Sequence, residues 1–264
     1  MLNTKHIKAL FFDIDGTLVS FNTHKIPQST VEALEQAKHK GTKIFISTGR
    51  PVSFINNLRQ IEHLIDGYIT TNGAYCFIGN EVVCTFAIQP SDVDTILNAA
   101  KRFQCPAVVV GSKRIAAYLW APELDEVFKK GLNLKDFTFA PIEEVRQMPI
   151  LQISPFFSPE QENEVMPQLQ HCTSGRWTNK FTDITNSDAD KGKALITMTH
   201  TLHIDINETM AFGDGGNDIP IIRNAGVGVA MGNGGDNVKQ AADYVTTSVD
   251  DNGVQNALQQ YGVI

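Results

Sequence analysis

Cysteine is scarce in this chain of 264 residues: four, Cys76, Cys84, Cys105 and Cys172, with no CxxC pair among them. No apolar run approaches the roughly 20 residues that cross a bilayer. The N-terminus also lacks a basic stretch followed by an apolar signal segment and a cleavage site. These absences predict reduced cysteines in a soluble, cytoplasmic protein. Positive charge is short as well: 22 Lys and Arg stand against 29 Asp and Glu, a net charge of −7, and no dense basic run occurs. Nothing therefore favours nucleic acid or an anionic membrane as a partner, and a phosphorylated ligand would need positive charge placed locally. The hydrophobic fraction of 42% is ordinary for a globular protein, and the length suits one large domain or two modest ones.

Against that background one stretch stands out, Leu10-Phe11-Phe12-Asp13-Ile14-Asp15-Gly16-Thr17-Leu18. An apolar run with no polar face reads as a strand buried on both sides, as in a parallel sheet. It stops at two carboxylates one residue apart, at a strand end, where such sheets place their chemistry. In extended backbone Asp13 and Asp15 share a side, and Gly16 permits a sharp turn after them. Their mutual repulsion would be relieved by a hard cation such as Mg²⁺. Taken alone, Asp-Ile-Asp-Gly-Thr also reads as an ordinary surface turn.

The remainder alternates strand and helix. Ser29 and Glu32 have the spacing of a capping box, Val31, Leu34 and Ala37 suit one helix face, and Gly41 fits its stop. Lys43 to Ser47 reads as a buried strand ending at Thr48-Gly49-Arg50, after which Val52, Ile55 and Leu58 resume helical spacing. Gly67 to Thr71 reads as a third strand running into Asn72-Gly73. From 82 to 185 the texture changes. Helical segments near Ser91–Phe103 and Pro159–Leu169 alternate with strands at Ala107–Val110, Ile115–Leu119 and Leu151–Ser154, without charged strand-end motifs. This predicts an α+β domain, 82–185, inserted into a core of 1–81 and 186–264. Beyond it, Lys191 opens a helix where an anion would explain a cation at the N-terminal end. The strand Thr209–Gly213 then ends in Asp214-Gly215-Gly216-Asn217-Asp218, with Asp218 suited to capping or support. A strand over Gly226–Met231 and the loop Gly232-Asn233-Gly234 follow.

The four pieces Asp13-Ile-Asp-Gly-Thr17, Thr48-Gly-Arg50, Lys191-Gly-Lys and Gly213-Asp-Gly-Gly-Asn-Asp218, in that order, resemble the haloacid dehalogenase superfamily. Within it the chain is similar to Cof-like phosphatases with a large α/β cap, and to bacterial sugar-phosphate phosphatases. The resemblance implies a Rossmann-like, doubly wound parallel sheet with an inserted α+β cap that closes over a small phosphorylated metabolite. It further implies that Asp13 is the nucleophile that becomes an aspartyl phosphate and that Asp15 is the general acid and base. Mg²⁺ would be held by Asp13, the backbone carbonyl of Asp15, and Asp214. The phosphoryl group would be bound by Thr48, Gly49, Lys191 and Asn217, with Arg50, Asn72, Gly73 and Asp218 in support.

Arg176-Trp177, in the inserted domain, could offer a cation and an aromatic face to a sugar, although Trp is also a common packing residue. His200 and His203 have a spacing that can bind metal, yet no third ligand is apparent and a zinc site is rejected. Three rivals share parts of the pattern. A phosphosugar mutase would return the phosphate to sugar, and a signalling receiver domain would need neither the insertion nor Thr48 and Lys191. A catalytically silent phosphosugar-binding protein would not need both Asp13 and Asp15.

Overall fold

The computed structural model describes residues 6–130, 134, 137–176 and 178–264. In chain order its strands are β1 (Ala9–Phe12), β2 (Lys43–Ser47), β3 (Gly67–Thr70), β4 (Tyr75–Ile78), β5 (Glu81–Thr85), β6 (Ala107–Gly111) and β7 (Ile115–Tyr118). They continue with β8 (Ile150–Pro155), β9 (Cys172–Gly175), β10 (Asp183–Asn186), β11 (Thr209–Gly213), β12 (Val227–Ala230) and β13 (Tyr244–Val245). The chain divides into two compact units. One comprises 1–50, 57–84 and 190–264, and the other 51–56 and 85–189.

The first unit is built on an eight-stranded sheet in the order β13-β12-β11-β1-β2-β3-β4-β5. From β13 to β3 every pairing is parallel, and β4 turns back antiparallel to β3. The all-apolar β1 lies in the middle, with Ala9 opposite both Lys43 and Thr209, and Phe12 opposite both Ile46 and Phe212. Alternation along the strand sends Phe11 to stack on Phe45 at 4.8 Å and Phe12 to stack on Phe212 at 4.6 Å. Both faces are thus filled with aromatic bulk, which is why the strand carries no polar face. Ala194, Leu195 and Met198 of the helix Lys191–Thr201 join the Phe11–Phe45 cluster. From β1 the chain runs outward to β2 and β3, then returns beside β1 as β11 and proceeds the other way to β12 and β13. Beside the end of β1 the strand order reverses, the place where open parallel sheets leave a crevice.

The second unit has a five-stranded antiparallel sheet in the order β7-β6-β8-β10-β9. Its core gathers Val93, Ile96 and Leu97 of the helix Pro90–Phe103, Val165 of the helix Pro159–Val165, and Val109, Ile153 and Ile184 from the strands. A second apolar group in this unit is aromatic: Phe54, Phe128, Phe137, Phe156 and Phe181 form a chain of ring contacts 5.1–6.5 Å apart.

Several local expectations change. The first helix runs from Gln28 to His39 with Pro27 at its N-cap, so Ser29 lies inside it, makes no cap bond, and leaves its buried hydroxyl unpaired. Proline, with φ preset and no N–H to satisfy, starts the helix ahead of the serine. Gly41 does end it, at φ +89°. After Arg50 there is only a short 3₁₀ turn, Val52–Phe54, followed by extended Ile55. The stretch 51–56 belongs to the second unit, where Phe54 joins the aromatic group, while Leu58 is buried in the first. One continuous helix could not serve both. The expected helix Pro159–Leu169 is α-helical only to Val165 and 3₁₀ over Met166–Gln168, where Pro167 cannot donate to the ladder.

Phe45→Ala would empty a fully buried site between β1 and the helix Lys191–Thr201. It is expected to cost about 3–5 kcal/mol, read as a lower urea midpoint with an unchanged m-value.

Candidate active site

The polar residues at the sheet's C-terminal edge follow from the strands that deliver them. Asp13 continues β1, and its backbone N–H donates to the Phe212 carbonyl at 3.1 Å. Thr48 follows β2, held by its N–H on the Ile69 carbonyl at 2.8 Å. Asp214 follows β11. Parallel pairing of the three strands brings their ends side by side.

At the centre is Lys191, the first residue of its helix and 1% exposed. Its Nζ donates to Asp13 Oδ1 at 2.8 Å, to Asp218 Oδ1 at 2.6 Å and to the Ser47 carbonyl at 3.0 Å. All three ammonium protons are matched. The Asp190 side chain caps the same helix by accepting from the N–H groups of Gly192 and Lys193, each at 2.8 Å. The cation at the positive end of the helix is explained by the two carboxylates it meets. Asp218 is more than a cap. Its second oxygen accepts from the N–H groups of Asp214 and Gly215 at 3.1 and 2.9 Å, fixing the turn that presents Asp214.

Asp15 is turned away from this group. Its two oxygens accept from Arg50 Nε and Nη2, each at 2.7 Å, a bidentate grip that sets the carboxylate's plane. The loop carrying Arg50 is itself closed, because Thr48 Oγ1 accepts from the Arg50 N–H at 3.1 Å. Thr71 and Asn72 brace it from β3: their N–H groups donate to the carbonyls of Arg50 and Thr48, each at 3.1 Å. Thr71, Asn72 and Gly73 all have positive φ, at +52°, +54° and +97°. For a β-branched threonine that is a strained conformation. At Gly73 no side chain could fit, since a Cβ would lie 2.5 Å from the Asp190 carbonyl oxygen. Asn217 Nδ2 donates to Asn72 Oδ1 at 3.0 Å, and a Cβ on Gly49 would touch that same oxygen at 3.0 Å.

The structure thus brings Asp13, Asp15, Thr48, Gly49, Arg50, Asn72, Gly73, Lys191, Asp214, Asn217 and Asp218 to one edge of the first unit. Arg176 belongs to the second unit, where its guanidinium is engaged by Glu162 and by the carbonyls of Phe157, Asn179 and Phe181. Trp177 lies outside the described residues. His200 and His203 are exposed, and among the described residues no cluster of metal-ligating side chains includes them. Sequence reasoning assigned no role to Thr17, whose hydroxyl donates to Asp214 Oδ1 at 3.0 Å, or to Asn233, whose Nδ2 donates to the Gly16 carbonyl at 2.8 Å. Thr17 was within reach as part of the first motif. Asn233 reads only as a loop residue until the fold places that loop.

Asp13, Asp214 and Asp218 each offer an oxygen within 4.8 Å of the others. Burial, reinforced by Asp218 and opposed by Lys191, pushes the Asp13 carboxyl up to about 8. Asp214 is pushed up to about 6 by burial and by Asp218, against the Thr17 hydrogen bond and Lys191. Lys191 is held above the usual lysine range. Burial acts against its charge, but Asp13 and then Asp218 outweigh it. One buried ammonium does not satisfy three carboxylates, and a hard divalent cation fits an all-oxygen set of this kind. Asp218 already accepts three hydrogen bonds, more than Asp13 or Asp214, which makes Asp13 and Asp214 the side chains best placed to bind one.

Because Asp13 and Asp214 have raised folded-state values, the folded protein binds more protons than the unfolded chain. Their contribution to stability is complete below the unfolded carboxylate value of about 4 and is lost as pH rises toward about 8. A cation binding these groups must displace the retained protons. The rise in Tm caused by millimolar Mg²⁺ is therefore expected to grow between about pH 5 and about pH 8. Thermal denaturation across that range checks this, and a shift that shrinks with pH would contradict the carboxylate assignment.

Comparison with known proteins gives this arrangement its family. Along its sequence the chain is 28% identical to the 5-amino-6-(5-phospho-D-ribitylamino)uracil phosphatase YcsE of Bacillus subtilis (strain 168), covering 97% of this chain and 96% of that protein. Among solved structures, it matches the HAD subclass IIB sugar phosphatase BT4131 with a TM-score of 0.88 and 44% identity, over 97% of this chain and 100% of the other. It matches BT1666 from Bacteroides thetaiotaomicron, a phosphatase of the same superfamily, with a TM-score of 0.86 and 33% identity, over 100% of this chain and 98% of the other. A family model of haloacid dehalogenase-like hydrolases spans residues 10–258, from within β1 to the last helix, and the chain belongs to that family.

Proposed function

We propose that the protein is a Mg²⁺-dependent phosphomonoesterase that hydrolyses small sugar or polyol phosphates through an aspartyl phosphate on Asp13. The observation that carries this reading is the shared contact of Lys191 with Asp13 and Asp218 beside Asp214. A buried nucleophilic carboxylate is thereby fixed in position next to positive charge and a cation-binding carboxylate. Similarity to a sugar phosphatase and to a phosphatase named for a ribityl phosphate supports the substrate class.

In the first half-reaction an Asp13 oxygen forms a bond to phosphorus as the bond from phosphorus to the leaving alcohol oxygen breaks, and Asp15 supplies the proton that the alcohol needs. In the second, water attacks the same phosphorus, Asp15 takes the water's proton, and the Asp13–phosphorus bond breaks to release inorganic phosphate. Asp15 would begin the cycle protonated, give that proton to the alcohol and regain one from the water, so the cycle balances. Phosphoryl transfer asks mainly for positioning and charge stabilisation. Lys191 and the Thr48–Gly49 loop would hold the phosphoryl oxygens, and Arg50 would keep Asp15 aimed. Mg²⁺, bound by Asp13, Asp214 and the Asp15 carbonyl, would neutralise the phosphoryl charge and keep Asp13 ionised.

Inorganic phosphate release from a panel of hexose, pentose, polyol and nucleotide monophosphates is the test. Sugar and polyol phosphates should be turned over with Mg²⁺ and not after chelation. Asp13→Asn should lower turnover by at least about 10³-fold while retaining the circular dichroism of the parent. A variant that releases phosphate at the parent rate would refute Asp13 as nucleophile.

A further inference from the structure

We infer that Asn233 is a positioning residue for the cation site: its side-chain amide orients Asp214 and pins the turn that carries Asp15. This rests on the proposed reading of Asp214 as a Mg²⁺ ligand.

The loop 232–235 follows β12 and is stitched to the Asp214 segment through the backbone. Met231 donates to the Gly213 carbonyl at 3.0 Å, and Gly235 donates to the Asp214 carbonyl at 3.4 Å. A Cβ on Gly234 would lie 3.0 Å from that same Asp214 oxygen, so the loop sits directly against the Asp214 backbone. On its other side Gly232 donates to the Thr247 carbonyl at 3.0 Å. Asn233 is thus presented from a segment held on both flanks.

Its amide cannot be flipped. Asn233 Oδ1 accepts from the backbone N–H of Val249 at 2.9 Å, and an N–H can be met only by the oxygen. The nitrogen must then face the catalytic edge, where it donates to the Gly16 carbonyl at 2.8 Å and lies 3.5 Å from Asp214 Oδ2. The other oxygen, Asp214 Oδ1, is taken by the Thr17 hydroxyl at 3.0 Å. Each carboxylate oxygen therefore has one protein donor, from separate parts of the chain, and keeps a lone pair for a cation. Gly16 sits at φ +85° between Asp15 and Thr17, so anchoring its carbonyl also fixes the turn supplying Asp15's own carbonyl and the Thr17 hydroxyl.

An asparagine that only ties its loop to Val249 would affect stability alone. One that orients a metal ligand affects cation affinity, and losing such an outer partner typically weakens binding by about 10–100-fold. The test is isothermal titration of Mg²⁺ into substrate-free protein, for the parent, Asn233→Ala and Asn233→Ser, with Tm measured on each. At least about tenfold weaker Mg²⁺ binding in a folded variant is the expected result. Serine retains a small polar group in the loop but cannot reach Gly16, so it serves if the alanine variant does not fold. A lowered Tm with Mg²⁺ affinity matching the parent would overturn the inference and leave the phosphatase reading standing. Absence of Mg²⁺ binding by the parent would overturn both.

Discussion

The candidate site depends on one buried ammonium. Lys191 is desolvated at the end of a helix where its charge is unwelcome, and it stays charged because two carboxylates and a carbonyl accept hydrogen bonds from its ammonium. Remove that cation and Asp13 and Asp218 become uncompensated buried charges, the costly half of any buried ion pair. Remove either carboxylate and the ammonium loses what offsets its own desolvation. The geometry around it is consequently over-determined. Asp218 also holds the backbone turn of Asp214, so one network fixes Asp13, Lys191 and Asp214 together.

That network is affordable only because the sheet delivers its members without loops that could drift. Asp13, Ser47 and Asp214 stand at or just beyond the ends of β1, β2 and β11, neighbours in parallel register. The apolar interior of the sheet, with Phe11 on Phe45 and Phe12 on Phe212, sets their spacing. The less regular edge, Thr71 to Gly73, is held in strained backbone by bonds to Arg50 and Thr48. Strain of this kind persists where surrounding contacts impose it, and here it braces the Thr48-Gly49-Arg50 loop.

Much of this was legible in the sequence for a physical reason. A buried parallel strand must be apolar throughout, so a polar residue immediately after one announces a strand end, and Asp13, Thr48 and Asp214 could each be found that way. The helix starting at Lys191 was legible as an electrostatic anomaly. The unreadable parts were those fixed by long-range contact. Ser29 has perfect capping spacing yet loses to Pro27, and Val52, Ile55 and Leu58 have helical spacing in a stretch whose residues are divided between two units. The spacing of Arg176 gives no hint that Glu162 and three carbonyls engage its guanidinium. Asn233 lies more than two hundred residues from Gly16, and only the return of the chain beside β1 makes them neighbours.

Charge balance then constrains the chemistry more tightly than any single contact. Asp13, Asp15, Asp214 and Asp218 converge on the same edge with Lys191 and Arg50 as their ion-pair partners. The deficit shows in the upward shifts of Asp13 and Asp214, which retain protons that the proposed nucleophile and metal ligand would have to give up. A dianionic phosphate approaching such a surface would meet net repulsion. A divalent cation between Asp13 and Asp214 would cancel the deficit, release those protons and turn the same edge into a receptor for phosphate. On the proposed reading the excess of carboxylates would give the site its demand for a metal, and Lys191 alone would not make it a phosphate site.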